Sequence, residues 1–97
     1  MNLALPSLIQ TLLDPARYPD RATRVELVET HASWLLLAGD FVYKIKKPIV
    51  MPFLDYGTLE QRRQCCEAEL QLNRRFAPQL YLAVVPITGP PDDPQIA

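Results

Sequence analysis

Two stretches, Val42-Tyr-Lys-Ile-Lys-Lys-Pro48 and Cys66-Glu-Ala-Glu-Leu-Gln-Leu-Asn-Arg-Arg75, decide how this chain is read. Side chains of a strand alternate between its two faces, so Val42, Lys44 and Lys46 fall on one side of the first stretch and Phe41, Tyr43 and Ile45 on the other. One face is aromatic and aliphatic; the opposite face carries two lysines. The second stretch advances about 100° per residue as a helix. Leu59, Cys66, Leu70 and Ala77 then line up along it, with Cys65, Leu72 and Phe76 forming a second apolar line. Glu69 lies between the lines. A carboxylate in an apolar arc is costly unless a cation meets it, which points to a lysine of the preceding strand. Glu67 falls outside the arc, on the side of Arg63 and Arg74, where i,i+4 pairing in solvent is its expected role.

The segments around this pair predict an α+β domain. Leu5, Leu8, Ile9, Leu12 and Leu13 recur at helical spacing, so a short N-terminal helix is expected from Pro6 to Leu13, followed by an irregular connection from Pro15 to Thr23. Short apolar runs at Val25–Glu29, Ser33–Ala38 and Phe41–Lys46 read as three antiparallel strands. Thr30-His-Ala32 forms a loose turn between the first two, and Gly39-Asp40 a tight hairpin between the second and third. Pro48 to Gly57 reads as loop. Thr58, with Gln61 three residues on, has capping-box spacing, so one long helix is expected from there to Arg75 or Phe76, stopped by Pro78. Leu80–Val85 reads as a fourth strand. The predicted fold is an antiparallel sheet of about four strands with one long and one short helix. A domain over residues 1–87 precedes a flexible tail, 88–97, rich in Pro, Gly and Asp.

Composition narrows the function classes. The chain has 97 residues, 48% of them hydrophobic and 22% charged, which suits one small globular domain at most. A net charge of −1 argues against a nucleic-acid binder, even with Lys44, Lys46, Lys47 and the arginine pairs Arg62-Arg63 and Arg74-Arg75 present. Cys65 and Cys66 are adjacent and poorly placed for a disulfide, and His31 is the sole histidine, so no four-ligand Cys/His zinc site can be assembled. Reduced cysteines favour the cytoplasm. The apolar N-terminus lacks a basic region and is broken by Pro6, Ser7, Gln10 and Thr11, so it reads as neither a signal peptide nor a membrane span. Trp34 and Leu35-Leu-Leu37 read as core, and His31 as a turn residue.

The runs Glu29 to Pro48, Phe53-Leu-Asp-Tyr-Gly-Thr-Leu-Glu60 and Leu72 to Ile87 together resemble the start of a bacterial family described as aminoglycoside phosphotransferase-like, often fused to a downstream P-loop ATP-binding domain. The resemblance implies a kinase-like small lobe covering ATP, with magnesium as the nucleotide's companion. Phe41-Val-Tyr-Lys44 is similar to the Val-Ala-Ile-Lys pattern of the third kinase strand. Lys44 would then contact the α- and β-phosphates and Glu69 would orient it, with Lys46 and Glu67 as alternatives. Such enzymes also need a His-x-Asp-type catalytic loop and a later metal-binding aspartate, and this sequence has neither. The implied protein is a partial phosphotransferase, inactive alone, whose partner is a C-terminal lobe in trans or another protein. The competing expectation is a non-catalytic binding module that uses an exposed sheet edge or helix.

Overall fold

The structure, a computed structural model, describes residues 5–19, 22–52, 54–77 and 79–96. It divides into two compact units, one formed by residues 1–45 with 86–97 and the other by 46–85. Pro78, expected to stop the long helix, and the first four residues of the apolar N-terminus lie outside the described residues.

The first unit opens with α1, Ser7–Thr11, which starts directly after Pro6. Its apolar spacing buries Ile9, and Leu12 beyond its end is buried as well. Part of the expected irregular connection is ordered by Asp14, whose carboxylate accepts from the backbone N–H of Ala16 and caps a single 3₁₀ turn over Pro15–Arg17. Three strands follow where their apolar runs placed them: β1, Val25–Glu29; β2, Ser33–Ala38; and β3, Phe41–Lys46. They form an antiparallel sheet in the order β1-β2-β3, with Val25 opposite Ala38 and Glu29 opposite Trp34.

Local chemistry sets both turns. The backbone N–H of Ser33 donates to Thr30 Oγ1 at 3.0 Å and that of Thr30 to the Ser33 carbonyl at 2.9 Å, closing the first turn around an exposed His31. Gly39 takes φ of 61°, a left-handed conformation that a residue with a Cβ adopts only under strain. The tight hairpin needs it.

Strand alternation directs Leu36 and Ala38 of β2, with Tyr43 and Ile45 of β3, into a core shared with Leu12 and Tyr18. Tyr18 donates its hydroxyl to the Leu12 carbonyl at 2.6 Å and packs against the Tyr43 ring, with centroids 5.0 Å apart. Burial, reinforced by Tyr43, pushes the Tyr18 pKa up to about 12. An unfolded tyrosine ionises near pH ~10, so between these values the folded state holds a proton that the unfolded state has lost. The stability this group contributes is complete below about pH 10 and falls away as pH rises towards about 12. Tyr18→Phe should cost about 1 kcal/mol at neutral pH, where the Leu12 carbonyl loses its donor, yet flatten the alkaline decline. Urea midpoints measured across that range check this; an equally steep decline in the variant contradicts it.

Within 88–97, expected as a loose tail, the described residues 88–96 contain short strands. Strands β6, Ile87–Thr88, and β7, Gln95–Ile96, pair antiparallel, with Ile87 and Ile96 packed on the core and Pro94 buried. Arg17 reaches across to Asp93 at 2.6 Å. Composition favoured irregularity here, but two isoleucines directly opposite each other gain enough burial to hold a short pairing.

In the second unit the expected loop from Pro48 to Gly57 holds a two-residue ladder, β4, Val50–Met51, against β5, Leu54–Asp55. The long helix α2 runs Leu59–Arg74. Its capping box is complete, with Thr58 Oγ1 accepting from the Gln61 N–H and Gln61 Oε1 accepting from the Thr58 N–H. The fourth strand is not formed. Residues 81–86 have no regular structure, and the carbonyls of Tyr81 and Leu82 accept from the Arg74 guanidinium at 3.1 and 2.5 Å. High β-propensity at Leu80–Val85 needs a neighbouring strand to act, and no described strand pairs with it.

Candidate functional site: a lysine held by a glutamate and a tyrosine

The last residue of β3 and the middle of α2 meet within the second unit. Lys46 Nζ lies 2.8 Å from Glu69 Oε1 and 3.2 Å from the Tyr56 hydroxyl oxygen. The Lys46 side chain is 4% exposed and that of Glu69 24%. Such a pair is stable only when its geometry is good and its hydrogen-bonding capacity is used, because both groups have left most of their water. An ammonium has three hydrogens to donate. Among the described residues, two of those on Lys46 have acceptors.

Burial pushes the Lys46 pKa down, but the hydrogen bonds to Glu69 and Tyr56, with the charge of Glu69 beside it, outweigh that and raise it above the ordinary lysine value. The side chain is a fixed cation at any physiological pH. What it can do chemically is hold an anion. It cannot act as a base or nucleophile while protonated.

Glu69, read from its position between two apolar lines, therefore does have a buried cation, and that cation is Lys46. Lys44, the lysine singled out by its similarity to the third kinase strand, is exposed on β3 beside Val42. Alternation along β3 holds as far as Ile45, and it is the end of the strand that delivers a lysine to Glu69. Glu67 takes the solvent role expected of it, accepting from Arg63 at 2.9 Å one turn earlier. Arg63 also pairs with Glu60 and holds that carboxyl below its usual range.

Tyr56 is the residue of this cluster that periodicity did not reveal, since it lies in a segment read as loop. Its position is built from several directions. The Tyr56 N–H donates to the Ile49 carbonyl at 2.7 Å, and its carbonyl accepts from Arg62 Nη1 at 2.8 Å. Next to it, a Cβ on Gly57 would come within 2.9 Å of Val50 Cγ2, so a larger residue there would have to displace the Val50 side chain. The one visible signal was Asp55-Tyr-Gly57 immediately before a capping box.

Among the described residues, no group of three or more His, Cys, Asp or Glu could hold a metal ion, and no helix is long and apolar enough to cross a membrane. Cys65 and Cys66 are half-buried on α2. A concavity of about 410 Å³ in the first unit is lined by Asp14, Ala16, Arg17, Pro94 and Gln95, none of them a site residue.

No family model matches the sequence, and no solved structure does. Uncharacterized proteins of Mycobacterium bovis and of two strains of Mycobacterium tuberculosis are similar to it, each 42% identical over 66 residues. The matched stretch is 68% of this chain but 13% of each of those proteins, so the chain spans a small fraction of the length of the curated relatives it matches.

Proposed function

We propose that this chain is the small, ATP-covering lobe of an aminoglycoside phosphotransferase-like protein, in which Lys46 meets the nucleotide phosphates and Glu69 orients it. The observation that carries this reading is the 2.8 Å ion pair between a nearly buried lysine ending the third strand and a glutamate inside the long helix. A strand lysine held by a helix glutamate is how kinase-like folds present a cation to phosphate. Among the described residues two hydrogens of the Lys46 ammonium have acceptors, and the third supports the reading, because an ammonium can donate it to an anionic ligand. A nucleotide ligand suits the cytoplasm.

Lys46 binds and orients; transfer is not assigned to it. Phosphoryl transfer needs a residue to position the acceptor and metal ions to neutralise charge; the sequence has no His-x-Asp segment, and among the described residues no group of three or more His, Cys, Asp or Glu could hold a metal ion. Magnesium would arrive with the nucleotide, and the catalytic groups would come from another lobe. The long unmatched portion of the mycobacterial relatives leaves room for one.

Calorimetric titration with ATP and magnesium should give weak binding, with Kd on the order of 1 mM. Lys46→Met should weaken it about tenfold or more while the chain stays folded, and no phosphate should be released by either protein. Equal affinity in a folded Lys46→Met variant overturns the assignment of the lysine. Turnover by the parent that disappears in the variant overturns the claim that a second lobe is needed.

One observation favours a second reading, a binding module without chemistry. Phe76 is 80% exposed, Leu80 74% and Leu82 51%, and Val84 and Val85 are exposed beside them in sequence. Apolar side chains this open commonly mark an interaction surface. Under that reading Leu82→Asp abolishes binding to a lobe or protein supplied in trans, and Lys46→Met has no effect on it.

A further inference from the structure

We infer that Tyr56 is a positioning residue for Lys46, its hydroxyl fixing where the ammonium sits and which way its third hydrogen points. The inference rests on the reading of Lys46 as a phosphate-binding cation, and it adds a residue for which the strand-lysine and helix-glutamate pair alone gives no role.

A lysine on one acceptor can swing about that single hydrogen bond. A second acceptor removes most of the freedom. Lys46 Nζ is 3.2 Å from the Tyr56 oxygen and 4.7 Å from the ring centroid, so it sits towards the hydroxyl end of the ring and not squarely over its face. The hydroxyl oxygen, more than the π-system, is therefore what holds it. An oxygen accepting from an ammonium keeps its own hydrogen, which it can donate to a ligand oxygen beside the lysine.

Tyr56 is itself held through both its backbone groups, its N–H donating to the Ile49 carbonyl and its carbonyl accepting from Arg62. Arg62 belongs to the first turn of α2, the helix that carries Glu69 two turns later. The two acceptors of Lys46 are thereby tied to one rigid element. Positioning a cation to within a fraction of an ångström needs such a supporting shell, which a solvent-mobile loop tyrosine would not provide.

The test uses the full chain with ¹⁵N-labelled lysine and reads hydrogen exchange of the Lys46 ammonium by NMR, alongside affinity for ATP and for inorganic pyrophosphate. Tyr56→Phe, which retains the ring and its packing, should speed exchange of the Lys46 ammonium about fivefold and weaken both ligands by about threefold or more. Tyr56→Leu should do the same, showing that the ring adds little. The urea midpoint identifies any variant that is merely less folded, and Tyr56→Phe at an unchanged midpoint is the decisive protein. Unchanged ammonium exchange in a folded Tyr56→Phe variant overturns the inference. If neither ligand binds the parent but exchange still responds to Tyr56→Phe, the positioning role stands and the nucleotide reading fails.

Discussion

Replacing Glu69 by alanine is expected to cost about 3 kcal/mol of stability, more than the loss of its partner. The asymmetry follows from exposure. Glu69→Ala leaves an ammonium whose side chain is only 4% exposed without its carboxylate, whereas removing Lys46 leaves a carboxylate that is 24% exposed and open to water. Tyr56 alone, a neutral acceptor, cannot compensate a desolvated charge. Lys46→Met keeps the apolar stem and removes the charge, so its cost should be about 1 kcal/mol. Combining Lys46→Met with Glu69→Ala should recover most of the loss, since no buried charge remains. Urea denaturation followed by far-ultraviolet circular dichroism, which reports on α2, gives all three values; a double variant as unstable as Glu69→Ala alone contradicts the pairing.

Leu36→Ala is the second large effect, also about 3 kcal/mol, and it arises by a different mechanism. Leu36 is fully buried in the core built by Leu12, Tyr18 and Ala38. Truncation removes apolar transfer energy and leaves a cavity that this sheet cannot close by collapse. Leu37, its neighbour on the opposite face of β2, is only half-buried, so Leu37→Ala should cost no more than about half as much. Trp34, on the same strand, supplies a fluorescence signal for the transition. Similar losses at both positions would mean that the inward face of β2 is wrongly assigned.

The contrast between these two sites shows what the amino-acid order made legible. The strands at Val25–Glu29, Ser33–Ala38 and Phe41–Lys46, their turns and the capping box at Thr58 all depend on local chemistry, and local chemistry can be read directly. So could the need of Glu69 for a cation, because helical periodicity put a charge among apolar residues. Which lysine met it was a question of reach. Lys44 and Lys46 share a face by alternation, and it is Lys46, at the end of β3, that lies 2.8 Å from the carboxylate.

The errors have a common cause. Leu80–Val85 has the composition of a strand, but no described strand pairs with it, and its first two carbonyls after Leu80 go to Arg74. Residues 88–97 have the composition of a loop, yet Ile87 and Ile96 bury against the core and draw a ladder with them. In both cases the pairing partner a segment meets, and not its own propensity, set the outcome. Tyr56 was hidden for a related reason: a loop residue has no period to betray its direction, and its role comes from hydrogen bonds to Ile49 and Arg62 that sequence spacing does not encode.

The central claim is that Lys46, held by Glu69, presents a cation to phosphate. The most direct measurement is the NMR signal of the Lys46 ammonium in ¹⁵N-lysine-labelled protein, followed while ATP is added. The account predicts a saturable shift of Lys46 larger than that of Lys44 or Lys47, and its loss in Glu69→Gln. A shift centred on Lys44, or none at any lysine at saturating ATP, would contradict it.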